Sequence, residues 1–254
     1  MPTLPEQLLA AFCKSPEDVP YDDPSDSLRL ASRDAPVEPL GNLQREFSNL
    51  GELLRGKDVL DFGCGFGDQA GAIAKAYGAR VTGLDSHLGV LAAARSRYGA
   101  NARFVNDLGG ETFDVVISQD AMEHFSDPEA ALAAMARALR PNGQILMTFG
   151  PPWYAPYGSH TGFFCPIPWV QLWFSEKTVM AVRARYRKDG ATRYEEVESG
   201  LNKMSLRKFE RVVAQSGLMI DSCRYVGVKK MHWLTRIPLV RELTTVVVTA
   251  ILRH

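Results

Sequence analysis

Apolar and polar positions follow two periods that take turns along the middle of this chain. Short apolar runs at Asp58–Phe62, Arg80–Leu84, Arg103–Val105, Phe113–Ser118 and Gln144–Phe149 read as buried strands. Between them, Asp68–Tyr77, Leu88–Tyr98 and Glu129–Leu139 read as helices. Leu88–Tyr98 is an Ala/Leu/Arg run of high helix propensity. Pro128 opens the third helix, and Arg140-Pro141-Asn142-Gly143 closes it. Strands that alternate with helices require a parallel sheet with right-handed crossovers. The pattern therefore predicts an α/β fold, doubly wound and mostly parallel.

The flanks break this alternation. Residues 1–41 read as an N-terminal arm: Leu4–Phe12 as a short amphipathic helix, then Ser15–Pro39, rich in Pro and Asp, as an extended stretch. That stretch is either a disordered tail or a flap over a nearby pocket. Leu43, Phe47, Leu50 and Leu54 share one helical face, which predicts a single helix over Leu43–Leu54 ended by Gly56. The core then covers residues 42–150 and 203–254. Residues 151–202 are too long for a bare loop and read as an inserted substrate cap. The segment is dense in aromatics and prolines from Gly150 to Phe174 and carries a basic helix candidate at Glu176–Lys188. Leu206–Ser216 is a helix closed by Gly217. Two last strands follow at about Ile220–Gly227 and Leu243–Leu252, joined by about Val228–Arg241.

The densest chemistry lies where the first strand ends. Val59-Leu-Asp-Phe-Gly-Cys-Gly-Phe-Gly67 leads straight into the helix at Asp68. Glycine lets backbone N–H groups approach a ligand closely, and a strand, a glycine turn and a helix N-terminus form a nucleotide-type site at a sheet's carboxyl edge. The spacing is G-x-G-x-G, not the G-x-G-x-x-G of dinucleotide folds, because position 68 is Asp. Asp61 would repel a pyrophosphate but suits an ammonium. Asp85, at the tip of the second strand, suits ribose hydroxyls.

These residues resemble the first two motifs of the class I S-adenosylmethionine-dependent methyltransferases. The pattern E/D-x-G-x-G-x-G is met at Asp61, Gly63, Gly65 and Gly67, and the acidic second-strand tip at Asp85. The resemblance implies a seven-stranded Rossmann-like sheet whose final pair is antiparallel, with S-adenosyl-L-methionine as cofactor. It assigns cofactor contacts to Asp61, Gly63, Cys64, Gly65 and Gly67 for the methionine portion, and to Asp85 with Ser86 for the ribose. Asp107 and Leu108 would hold the adenine, with Gln119 at the fourth strand tip. An Asx turn is the rival account of Asp107.

Asp120, Glu123 and His124 follow the fourth strand, on the rim where open α/β sheets bind ligands. Helical turning there would put the three on one face. Two chemistries fit: a site for Mg²⁺, or a general base at His124 oriented by a carboxylate. Capping of the next helix is the purely structural account. The segment acid-x-x-Glu-His resembles quinone-biosynthesis O-methyltransferases, in which Glu is usual where this chain has Asp120. His160, among Tyr154, Tyr157 and Ser159, is a second candidate base or orienting group, and otherwise an exposed loop histidine. The aromatics of the inserted segment imply an apolar or aromatic small-molecule acceptor, or simply the segment's own core.

Composition narrows the classes. Of 254 residues, 29 are Lys or Arg and 29 Asp or Glu, so no basic excess points to nucleic acid. No Asn-Pro-Pro-Tyr segment follows the fourth strand, which weighs against nucleic-acid and protein amide methylation. The four cysteines have no C-x-x-C spacing and read as free thiols of a cytoplasmic protein. No signal peptide or membrane-spanning run is expected. The reading that results is an enzyme transferring methyl to a small hydroxylated acceptor, O-methylation favoured. N- or C-methylation, and cofactor binding without catalysis, remain as alternatives.

Overall fold

The computed structural model describes residues 2–19, 39–197, 200–228 and 232–254. Seven strands form one sheet in the order β3-β2-β1-β4-β5-β7-β6: β1 Asp58–Phe62, β2 Arg80–Leu84, β3 Ala102–Val105, β4 Phe113–Gln119, β5 Leu139–Phe149, β6 Met219–Gly227 and β7 Thr245–Arg253. β1 to β5 are parallel, and β7 runs antiparallel to both β5 and β6. Strand order reverses between β1 and β4, so the ligand crevice of an open α/β sheet lies over their carboxyl ends.

Successive strand residues face opposite sides of the sheet. Leu60, Val116, Ile145 and Met147 pack on one side under α6 (Pro128–Arg137) and α9 (Leu206–Ser216). Val59, Val115, Ile117 and Leu146 pack on the other, under α2 (Gly41–Glu46), α3 (Leu50–Leu54), α4 (Asp68–Tyr77) and α5 (Leu88–Tyr98). A third cluster joins Phe164, Val179, Met180, Tyr186 and Tyr194 of the inserted segment to Leu9 of α1 (Leu4–Phe12). Lys14 N–H donates to Phe164 O at 2.9 Å and Tyr186 Oη to Lys14 O at 2.6 Å. The N-terminal helix is therefore packed as part of the inserted segment's core.

Four expectations are corrected. Leu43–Leu54 is two helices: the backbone leaves helical geometry at Phe47 (φ −123°, ψ 92°) and resumes it at Leu50, with both side chains buried on either side of the break. The helix expected over Glu129–Leu139 ends at Arg137, and Leu139 already pairs with Phe113 as the start of β5. The Glu176–Lys188 helix stops at Arg183 (α8, Glu176–Arg183), where the guanidinium turns to grip Asp189. Val179, Met180, Val182 and Arg183 are buried, whereas Lys177, Arg185 and Lys188 are exposed. The last strand begins at Thr245, after α10 (Pro238–Thr244). Most of the Ser15–Pro39 arm, and with it the flap expectation, lies outside the described residues.

Packing explains one glycine between motifs. A Cβ on Gly83 of β2 would stand 2.7 Å from the Phe104 ring and 2.8 Å from Cys64 Sγ. Gly83→Ala should cost about 1–3 kcal/mol of stability and, by displacing Cys64, also weaken cofactor binding. Chemical denaturation alongside S-adenosylhomocysteine titration checks both, and unchanged stability would remove the packing argument.

Candidate functional site

Four segments meet over the crevice. The first is the turn from β1 to α4. Gly63, Gly65 and Gly67 all have φ in the left-handed region, 80°, 51° and 80°. Their reasons differ. A Cβ on Gly67 would hit the Phe104 ring at 2.6 Å, whereas one on Gly65 would meet nothing within 4 Å. Gly65 is thus the open edge of the cradle, and Gly67 is held by packing.

Asp61 is 2 % exposed. Its Oδ1 accepts from Gln69 Nε2 at 2.9 Å, while Oδ2 is buried with no partner among the described residues. Burial, only partly offset by the Gln69 bond and reinforced by Asp85, pushes the carboxyl up to about 7. Asp85 crosses from β2 into the turn: Oδ2 accepts from Gly65 N–H at 3.0 Å and Oδ1 from His87 N–H at 2.9 Å. His87 itself caps α5, accepting from Val90 N–H at Nδ1. An orphaned acidic oxygen, an open glycine edge and a carboxylate beside it fit an ammonium- and ribose-bearing cofactor. Cys64 is buried, and its thiol is pushed well up by burial and the two aspartates. Ser86 is exposed. Asp107 makes the Asx turn, accepting from Gly109 N–H at 3.1 Å, and Leu108 packs on the core's edge. Gln119 reaches Asp120 with Nε2 at 3.4 Å, and its Oε1 is buried without a partner among the described residues.

The sign of the Asp61 shift gives a prediction. A carboxyl raised on folding adds stability below its unfolded value, near 4, and that contribution is lost as pH climbs through about 7. A cationic ammonium favours the ionised form. S-adenosylhomocysteine should therefore bind more tightly from about pH 6 to about pH 8 in wild type, and Asp61→Asn should flatten that slope. Parallel slopes in the two proteins would exclude Asp61 as the titrating group.

The second segment follows β4. It is a tight turn, not a helix: His124 N–H donates to Ala121 O, and Asp120 has φ 49°. The three candidate ligands diverge. Asp120 Oδ1 accepts from Thr148 Oγ1 at 3.1 Å, and Glu123 Oε1 from Gly150 N–H at 2.9 Å. His124 Nδ1 lies 2.8 Å from Gly200 O. Among the described residues no cluster of three or more His, Cys, Asp or Glu side chains could hold a metal ion. The residues do not fit the Mg²⁺ expectation. Glu123, buried, is pushed up by desolvation and serves to tie the turn to the end of β5.

The third segment is the end of β5 with the start of the insertion. Here His160 (φ 54°) meets His124, ring centroids 5.3 Å apart and planes at 77°. Thirty-six positions separate them in sequence (160 − 124), and the fold brings these two candidates together. They are not equivalent. Burial, then the neighbouring His124, lowers His160 to about 4, so it is a neutral ring at neutral pH. A carbonyl only accepts, so in neutral His124 the proton sits on Nδ1 and the lone pair on Nε2.

The fourth segment is invisible to sequence reasoning. Gly200 sets the His124 tautomer. Asn202 binds the turn on both sides, donating from Nδ2 to Met122 O and Phe125 O at 2.8 Å each and from its backbone to Glu123 O. No local signal marks Gly200 or Asn202. Thr148 and Gly150 carried no signal beyond their place at a strand end.

The turn is shared by two spaces. A Cβ on Gly63 would touch Ala121 Cβ at 3.7 Å and the Phe125 ring at 3.9 Å. On its other side the turn meets Gly200 and His160, which line a cavity of about 130 Å³ with Tyr194, Phe163 and Leu201.

Residues 60–147 match the methyltransferase-domain family. The chain is 32 % identical over 124 residues to a ubiquinone biosynthesis O-methyltransferase of Aromatoleum aromaticum, covering 44 % of this chain and 52 % of that protein. It is 31 % identical over 108 residues to phosphoethanolamine N-methyltransferase 2 of Caenorhabditis elegans, covering 39 % and 25 %. The chain thus spans about half the length of the first relative. Among solved structures, a TehB-like S-adenosylmethionine-dependent methyltransferase from Corynebacterium glutamicum shares the fold, with TM-score 0.54, 18 % identity, and 91 % of this chain and 98 % of that one covered. No helix among the described residues is long and apolar enough to cross a membrane.

Proposed function

Starting from a chain that carries a class I S-adenosylmethionine-dependent methyltransferase domain, we propose that it transfers methyl to the oxygen of a small hydroxylated acceptor, with His124 as the base. One observation carries this reading. The His124 turn stands between the glycine cradle and the cavity, and Gly200 leaves its Nε2 with a lone pair.

The bound sulfonium supplies the activated methyl group. The chain's own residues do the rest. Asp61, the Gly63–Gly67 turn and Asp85 would seat the donor, with Asp107, Leu108 and Gln119 along the adenine side. His124 Nε2 would take the acceptor's proton as the oxygen–carbon bond forms and the carbon–sulfur bond breaks. Asp120 and Glu123 act on the turn through Thr148 and Gly150, holding the imidazole at a fixed place. Positioning of this kind supplies much of the acceleration of an in-line transfer. His160, kept neutral, orients the acceptor and does not compete as the base. The inserted segment, residues 151–202, works as the substrate cap together with α1. The ubiquinone-pathway relative is an O-methyltransferase by name, which supports oxygen as the attacked atom.

The test pairs calorimetric titration of S-adenosylhomocysteine with a methyl-transfer screen of small phenols. Binding with turnover is the expected result. Binding with no turnover on hydroxylated, amino or carbon acceptors would leave a cofactor-binding protein, and no binding would end the methyltransferase reading.

A further inference from the structure

The cavity beside His160 has a chemistry of its own. Two of its polar groups are buried without partners among the described residues: His160 Nε2 and Tyr194 Oη. Such orphans are rare in folded proteins and call for a ligand or an ordered water. His160 bonds the Pro151 carbonyl through its ring, and since Nε2 has no partner that bond is at Nδ1–H, which leaves Nε2 a bare acceptor; the Tyr194 hydroxyl can donate. Tyr194 is fixed by its edge-on contact with Trp153, ring centroids 4.9 Å apart. Phe163 and Leu201 supply apolar wall.

The cation in the wall is already used. Arg183 makes two bonds to Asp189, at 2.8 and 2.6 Å, and is 7 % exposed. An anionic ligand would have to strip that buried pair, which costs more than it returns. The volume, about 130 Å³, compares with the apolar cavity of about 150 Å³ that takes up benzene.

We infer that this cavity binds a compact uncharged molecule of one-ring size bearing two oxygen functions, one donating to His160 Nε2 and the other accepting from the Tyr194 hydroxyl. That the molecule is also the methyl acceptor rests on the proposed function; its binding does not.

The full chain, with and without S-adenosylhomocysteine, would be titrated with phenol, the three dihydroxybenzenes and 3-hydroxybenzoate. At least one dihydroxybenzene should bind about five- to tenfold more tightly than phenol, and 3-hydroxybenzoate more weakly than either. Tyr194→Phe, which keeps the ring against Trp153, should bring that dihydroxybenzene down to the affinity of phenol. Leu201→Trp should abolish binding of all of them. Preferred binding of the benzoate, no probe binding at millimolar concentration, or an unaltered dihydroxybenzene affinity in Tyr194→Phe would each overturn the inference. If the wild type binds the dihydroxybenzene in a Tyr194-dependent way but never binds S-adenosylhomocysteine, the cavity assignment stands and the methyl-transfer reading falls.

Discussion

His124→Ala should lower kcat about 10²–10⁴-fold, the usual range for losing a general base, and leave the Kd for S-adenosylhomocysteine within about twofold. The separation follows from the turn's two sides. Ala121 and Phe125, not His124, lie against the glycine cradle, so deleting the imidazole spares the cofactor's walls. Asn202 still binds Met122 O and Phe125 O from beneath, so the turn keeps its shape. His160 cannot take over, because burial holds it neutral down to about pH 4 and makes it a poor proton acceptor near neutral pH. Single-turnover methyl transfer with saturating cofactor is the measurement. Turnover within threefold of wild type would reject His124 as the base, and lost cofactor binding would show instead that the turn had collapsed.

Asp85→Ala should raise the Kd for S-adenosylhomocysteine about 10- to 100-fold. One carboxylate holds both Gly65 N–H and His87 N–H, and each bond to a charged acceptor is worth about 1.5–3 kcal/mol. Gly65 is the one glycine of the three whose missing Cβ faces open space, so loosening it alters the cradle itself. On the proposed cofactor reading, the ribose hydroxyls lose their acceptor in the same step. Asp85→Asn keeps an acceptor oxygen without the charge and should fall between the two. Calorimetry reads the effect, and a wild-type Kd in Asp85→Ala would reject both the bracing of the cradle and the ribose contact.

Much of the core could be read in the sequence because its signals are local. A β1 strand is a run of apolar residues wherever it packs, and the left-handed backbone at Gly63, Gly65 and Gly67 is one that glycine adopts without steric cost. The bounds of β1, α4, β2 and α5 are legible from short apolar runs, helix propensity and the glycine turn between them. The failures sit where distant chain decides. The Leu43–Leu54 face has helical spacing throughout, yet the backbone leaves the helix at Phe47 and restarts it at Leu50, which no local period marks. The basic helix candidate at Glu176–Lys188 ends at Arg183, because Arg183 turns to Asp189 and the helix's apolar face joins a core built from distant chain.

The candidate site divides in the same way. The sequence by itself determined the cofactor motif, the methyltransferase-domain match over residues 60–147 and the identities of the two histidines, because these need only residue type and short spacing. It left Asp120, Glu123 and His124 as one undivided triad. Only the tertiary structure sent the two carboxylates to β5, set the His124 proton by Gly200, 76 positions away, and buried His160 beside it. Tautomer, burial and the cavity beside His160 depend on which backbone carbonyl or side chain arrives from far along the chain, and no local pattern encodes that arrival.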